Sequence, residues 1–284
     1  MKNAFTIDTE EWFHANYEDN LFSNTKQNIS LIEKEVDKLL ELFDSNNMKA
    51  TFFVLGFVAE QHPALIKKVA NLGHEIASHG YGHQLVYKQT SAEFREDVYK
   101  SKNILEQLIG QPIWGYRAPS WSITEDSLWA LDILNGLGFS YTSSIFPTQN
   151  FLYGIPYAPR FSHDCNIYGK KDLSLINIPP TTIKMKVGNK NIPFSGGAYF
   201  RLLPEQLIKH FSHFVNEKEH QPVIYYLHPR ELDLSQPHLK LNFRDNMIHY
   251  YGIRGCEKKL VHILREFEFC TMKDIEEMQL WKKN

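Results

Sequence analysis

Two histidines four residues apart, in Ser78-His79-Gly80-Tyr81-Gly82-His83, follow a short apolar stretch, Glu75-Ile76-Ala77-Ser78. Two imidazoles at that spacing can reach one metal ion from a helical turn or a tight loop. Gly80 and Gly82 favour the loop, because glycine reaches backbone conformations closed to other residues. Near the N-terminus, the apolar stretch Ala4-Phe5-Thr6-Ile7 runs into Asp8, Glu10 and Glu11. Two histidines and a carboxylate leave a coordination position open for water, and a divalent ion lowers the pKa of such a water to ~7 and polarises a carbonyl. Taken singly, each residue has a plainer reading. A carboxylate after a strand often caps the next helix, and a lone histidine is more often a surface or core residue than a ligand.

Amide hydrolysis also needs a base for the water proton and an acid for the leaving nitrogen. Asp8 suits the first role. His228, which follows the apolar stretch Val223–Leu227, suits the second. Arg117 closes the segment Trp114–Arg117 and can grip a carboxylate in a fixed, bidentate geometry; a structural salt bridge is its plainer role.

These residues need a scaffold that gathers strand ends. Ile32, Val36, Leu39, Leu40 and Phe43 lie at helical spacing, with Ser30 and Glu33 reading as a capping box. Ala50–Gly56 reads as a buried strand ended by glycine, and 63–72 as a helix opened by Pro63 and stopped by Gly73. Helices over about 91–109 and 124–136 alternate with strands at Trp114–Arg117 and Phe139–Thr142. Residues 147–200 read as loops and short strands, followed by a helix at 204–215, a strand at Val223–Leu227 and a helix-strand-helix close. Such alternation implies a parallel α/β sheet, barrel or doubly wound. In a parallel barrel catalytic groups sit at the C-terminal strand ends, where Asp8, Glu10, His79, His83, Arg117 and His228 all fall.

Composition narrows the partners. With 31 basic against 33 acidic residues, nothing calls for nucleic acid or an anionic surface. Three cysteines without paired spacing argue against a disulfide scaffold. The start, MKNAFTIDTEEWFH, does not read as a signal peptide, and no apolar run is long enough to span a membrane. A cytoplasmic location is the expectation.

The motifs together resemble the polysaccharide deacetylases that share the chitooligosaccharide-deacetylase (NodB) homology domain. Asp8-Thr9-Glu10-Glu11 resembles the acid motif, with one residue between the acids. His79-Gly80-Tyr81-Gly82-His83 resembles His-Ser/Thr-x-x-His, with Gly80 at the hydroxyl position, and Arg117-Ala118-Pro119 and Leu227-His228 resemble two further motifs. Ser195–Pro204 and Tyr226–Asp233 are similar to the subgroup found with bacterial exopolysaccharide and surface-glycan synthesis. Thr142 stands where that subgroup carries an Asp.

The resemblance covers nearly all of residues 1–284 and implies one domain, a deformed (β/α) barrel of about seven strands with a C-terminal extension. It implies removal of acetyl from an N-acetylated amino sugar; the cytoplasmic expectation suggests a biosynthetic precursor, such as a nucleotide- or lipid-linked sugar, and a homo-oligomer is a further expectation. Asp8 is the implied base, held by Arg117; Glu10, His79 and His83 are the implied metal ligands; His228 is the implied acid. Tyr226, Leu227 and Trp121 are the candidate substrate contacts. Zinc is the expected ion, with cobalt, nickel or iron as alternatives. Strand alternation favours Glu10 over Glu11 as ligand, since Asp8 and Glu10 share a face. Rival readings are a cyclic-imide or ureide amidohydrolase and a non-catalytic sugar-binding descendant.

Overall fold

The structure, a computed structural model, describes residues 1–14, 29–148, 150, 152–185, 188, 190–238 and 241–279. In the first half each strand feeds a helix. Strand β1 (Asn3–Thr9) leads to α1 (Ile32–Ser45), and β2 (Thr51–Val54) to α2 (Gly56–Gln61) and α3 (Pro63–Asn71). Strand β3 (Glu75–Ser78) leads to α4 (Ser91–Ile109), and β4 (Gly115–Tyr116) to α5 (Ala130–Gly136). Five short strands follow: β5 (Tyr141–Thr142), β6 (His163–Asp164), β7 (Ile176–Asn177), β8 (Thr182–Lys184) and β9 (Asn191–Pro193). Helices α6 (Gly197–Leu202) and α7 (Glu205–Glu217) precede β10 (Ile224–Leu227). The chain ends with α8 (Phe243–Tyr250), α9 (Ile253–Glu266), β11 (Phe269–Cys270) and α10 (Met272–Glu277).

Among the described residues, the main sheet runs β10-β1-β2-β3-β4-β5-β7-β6, with β11 added on β1. Seven strands of that path are parallel, and β6 joins the far edge antiparallel. The sheet curls into an open half-barrel, the deformed (β/α) barrel expected from the sequence. Strands β8 and β9 form a separate antiparallel pair.

Two apolar cores follow from the pleat. Phe5 and Ile7 of β1 point outward and pack with Ile32, Val36, Leu39 and Phe43 of α1. Ala4 points inward, where Phe53, Ala77 and Ile224 meet Met272 and Ile275 of α10. Helix α10 thus plugs one end of the curl, and the other end carries the polar residues. Each fully buried Leu, Ile or Phe contributes ~1.5–3 kcal/mol. These cores anchor the strands whose C-terminal ends must hold position.

Local readings need correction at three places. Ser30 and Glu33 form no capping box: α1 has no side-chain cap at Leu31, and Glu33 Oε1 lies 2.9 Å from His62 Nδ1. The reason is that Glu11, just after β1, reaches this helix end, accepting from Leu31 N at 3.2 Å and from the Ser30 hydroxyl. Gly56 opens a helix rather than only ending a strand. The expected helix at 124–136 is broken into a 3-10 turn at Glu125–Ser127 and α5. All three cysteines are buried and free.

Candidate active site

Strand β1 stops at Thr9, and Glu10 N donates to Asp8 O at 3.0 Å in a tight turn. That turn, rather than continued pleating, sets Glu10 beside Asp8 in a cavity of about 630 Å3. Glu10, His79 and His83 are all buried, and one ligand atom of each lies within 4.8 Å of the others. Glu10 Oε2 sits 2.6 Å from His83 Nε2 and 3.8 Å from His79 Nε2. Despite that approach, Glu10 Oε2 has no partner of hydrogen-bond geometry. Three converging lone-pair donors with an orphaned buried oxygen fit a divalent cation: Glu10, His79 and His83 would hold it, and three protein ligands would leave room for water. Glu11 points away to the start of α1.

The histidine loop is set from outside. Asp97 of α4 accepts from Tyr81 N at 2.8 Å and from Gly82 N at 3.1 Å. Gly80 has φ +77°, and a Cβ there would lie 2.7 Å from Asp97 Oδ2. The glycine at this hydroxyl position of the motif therefore goes with the carboxylate beneath it. His79 Nδ1 donates to Arg117 O at 2.8 Å, which fixes the ring and leaves Nε2 facing Glu10. His14, outside every motif, stacks on His83 with ring centroids 6.0 Å apart. Burial, followed by the neighbouring His83, pushes its pKa down to about 4.

Arg117 is fully buried and donates from Nη1 to Asp8 Oδ1 at 2.6 Å and to Thr6 Oγ1 at 2.8 Å. Its Nη2 donates to Ser143 Oγ at 3.0 Å, and its guanidinium lies over the Phe53 ring. One oxygen of Asp8 is thereby held, while Asp8 Oδ2 lies 4.0 Å from His228 Nε2.

His228 leaves β10 and enters a 3-10 turn, Pro229–Leu232. Its Nδ1 lies 3.2 Å from Glu231 Oε2, which also accepts from His228 N at 3.0 Å. Arg201 Nε donates to Glu231 Oε1 at 2.7 Å, and the Arg201 amino groups donate to the Ile248 and Tyr251 carbonyls. Burial opposes charge on His228, but Glu10 and Glu231 outweigh it and raise its pKa above the ordinary imidazole value. Burial likewise opposes charge on Glu231, and Arg201 and His228 reverse this, holding it well below the carboxylate range. Thr142 takes no part: buried, it donates to Tyr116 O at 3.1 Å and lies 2.6 Å from Ser144 Oγ. Thr142 stands where the subgroup carries an Asp, and the carboxylate at His228 is Glu231.

One cavity wall is aromatic. Trp121 and Tyr226 meet edge to face at 4.4 Å, with Phe146 and Tyr153 behind them. Ser120 and Trp121 both have φ +49°, a conformation that costs ~1–3 kcal/mol per residue outside glycine. Gly196 makes room, since a Cβ there would fall 2.2 Å from the Tyr226 ring. Leu227 does not line the cavity. Neighbours on a strand face opposite ways, so Leu227 packs in the outer core while Tyr226 and His228 face inward.

Two family models divide the chain. The one described as polysaccharide deacetylase matches residues 26–141, and a domain of unknown function, DUF3473, matches 143–277. Residues 26–141 thus carry a polysaccharide deacetylase (NodB-homology) domain. Over 96 residues the chain is 38% identical to a peptidoglycan-N-acetylglucosamine deacetylase of Bacillus cereus, covering 34% of this chain and 35% of that protein. The matched stretch is thus only about a third of the length of the curated relatives. A protein from Mycobacterium smegmatis, described as a candidate polysaccharide deacetylase, shares the fold. Its TM-score is 0.65 at 20% identity, over 99% of this chain and 90% of that one. The Puue allantoinase shares it too, with TM-score 0.61 and 18% identity over 96% of this chain and 88% of that one.

The candidate site crosses the boundary between the two models. His79, His83 and Arg117 come from the first segment; Tyr226, His228, Glu231 and Arg201 come from the second; Asp8 and Glu10 precede both. Strands of both segments share one sheet, with β1 hydrogen-bonded between β2 of the first segment and β10 of the second.

Proposed function

We propose that this protein is a metal-dependent hydrolase that removes the N-acetyl group from an N-acetylated amino sugar in a glycan or glycan precursor. The observation that carries the reading is the convergence of Glu10, His79 and His83 with Asp8 and His228 in one buried corner of the cavity. A divalent ion held by Glu10, His79 and His83 supplies Lewis acidity toward the acyl oxygen and toward water. Zinc suits this donor set, and cobalt, nickel and iron suit it as well.

The chain's own groups account for the proton movements. Asp8, with one oxygen held by Arg117, takes a proton from the attacking water as its oxygen bonds to the acyl carbon. His228 then gives its Nε2 proton to the amide nitrogen as the C–N bond breaks, leaving acetate and a free amine. General acid and base groups of this kind each contribute ~10²–10⁴-fold. Trp121 and Tyr226 exclude water from one side of the acyl group and present an aromatic surface to the sugar.

Acetate release from a panel of N-acetylhexosamine conjugates tests the reading. Release that requires Asp8 and His79 supports it; ring opening of cyclic ureides without acetate release replaces it with the amidohydrolase alternative. No turnover of either class, with sugar binding retained, replaces it with a carbohydrate-binding role.

A further inference from the structure

The two histidines of the candidate metal site are held in different ways. His79 is fixed by a hydrogen bond, Nδ1 donating to Arg117 O at 2.8 Å, with Nε2 on the side of Glu10. His83 has no such tie: among the described residues, its buried Nδ1 has no hydrogen-bond partner. A histidine that ligates a metal almost always donates its other ring N–H to a neighbouring group, which fixes the ring. The loop backbone does not supply this restraint. Asp97 clamps the amides of Tyr81 and Gly82, both ahead of His83. His83 itself has φ +54°, a left-handed backbone that residues other than glycine seldom take.

What bears on the His83 ring is aromatic. The His14 ring lies against it with 24° between the planes and 6.0 Å between centroids, and the His79 ring meets it edge-on at 5.4 Å. His14 is firmly placed. Its Nδ1 accepts from Glu11 N at 3.1 Å, and its own backbone N donates to Glu11 O at 3.0 Å. With Nδ1 accepting, the imidazole is neutral and adds no positive charge beside a divalent ion. Phe57 of α2 packs edge-on against it at 5.6 Å, and Phe57 N donates to Tyr81 O at 3.2 Å, so one residue braces both the plate and the histidine loop. The turn after β1 thus supplies one candidate ligand, Glu10, and, four residues on, the ring that backs another.

We infer that His14 is a positioning residue of the metal site: its imidazole holds the His83 ring with Nε2 turned toward Glu10, in place of a hydrogen bond at His83 Nδ1. The inference rests on the metal-dependent reading above and adds to it a residue outside the three ligands.

The test is the dissociation constant for zinc, measured by competition with a chromophoric chelator on the full chain and two variants. His14→Asn puts an amide oxygen near the place of Nδ1, so it keeps an acceptor for Glu11 N and removes the ring. It should bind zinc ~10–100-fold more weakly, the range for losing a group that orients a ligand. The melting temperature of the metal-free variant should stay within about 2 °C of the parent's. His14→Phe keeps a ring against His83 and should recover most of the lost affinity. Zinc bound by His14→Asn as tightly as by the parent overturns the inference. Weaker binding matched by a lower melting temperature without metal also overturns it, since that marks a role in the fold alone. A His14→Phe variant as weak as His14→Asn does the same, because a ring is then not what His83 needs. A parent protein that binds no zinc defeats the metal-dependent reading itself, and the inference falls with it.

Discussion

His228 keeps Nδ1 3.2 Å from Glu231 Oε2, which leaves its Nε2 toward the cavity and 4.0 Å from Asp8 Oδ2. An acid must be protonated to act, so activity is lost as pH rises through the His228 pKa. Glu10 and Glu231 raise that pKa against the effect of burial. Removing one of them moves the basic limb of the profile to lower pH. Glu231→Gln is expected to do this and to reduce kcat more than it changes KM, by less than the ~10²–10⁴-fold of losing the acid itself. A pH–rate profile of the variant checks it; an unmoved basic limb shows that Glu231 only shapes the turn.

Thr142→Asp is expected to damage the fold rather than tune His228. The side chain is fully buried among Tyr116 and Ser144. A carboxylate there is left without a cationic partner, a recognised source of severe destabilisation. Thermal melting should show a drop of at least about 5 °C, given ~2–4 °C per kcal/mol for a chain somewhat smaller than this one. Unchanged melting with a shifted pH profile contradicts the placement of Thr142.

Asp8→Asn should retain the metal and lose ~10²–10⁴-fold in rate, the range for a general base. Glu10→Gln should lose the metal, and Glu11→Gln should keep it, because Glu11 binds the start of α1 instead. Elemental analysis of the three purified variants checks the assignment, and metal loss only in Glu11→Gln would reverse it.

Much of this site was legible because its residues close strands. Asp8, Arg117 and His228 each end an apolar stretch, and His79 and His83 carry ligand spacing. Glu10 shares the cavity with Asp8 as alternation suggests, although the strand has already stopped and a tight turn does the aiming. Other features left no local trace. Asp97 acts on loop amides 15 and 16 residues away, and Arg201 meets Glu231 across 30 residues. Strand β7 joins the main sheet with only two residues, too few for a period to register. Ser30 and Glu33 fit a local cap, but a carboxylate from another element took that place.

Gly80→Ser restores the hydroxyl seen in the motif and is nevertheless expected to weaken metal retention. A left-handed φ of +77° and a Cβ 2.7 Å from Asp97 Oδ2 force the loop to shift. Metal titration of the variant checks this, with tighter or equal binding as the contrary result.

Glu35 is buried, with no hydrogen-bond partner on either carboxylate oxygen. Burial, reinforced by Asp233 and Glu11, raises its pKa to about 8. A pKa raised on folding means that stability is full below the unfolded value and is lost as pH rises toward 8. Glu35→Gln should therefore raise Tm at pH 8 more than at pH 4. Equal effects at both pH values would contradict the buried, protonated state.

The central claim is that metal held by Glu10, His79 and His83 supports cleavage of an amino-sugar acetamide. The direct measurement is acetate release by the purified protein before chelation, after exhaustive chelation, and after return of a divalent ion. Release should stop with metal removal and recover with its return, and His79→Ala should show none under any condition. Undiminished release by protein shown to be metal-free by elemental analysis would contradict the account.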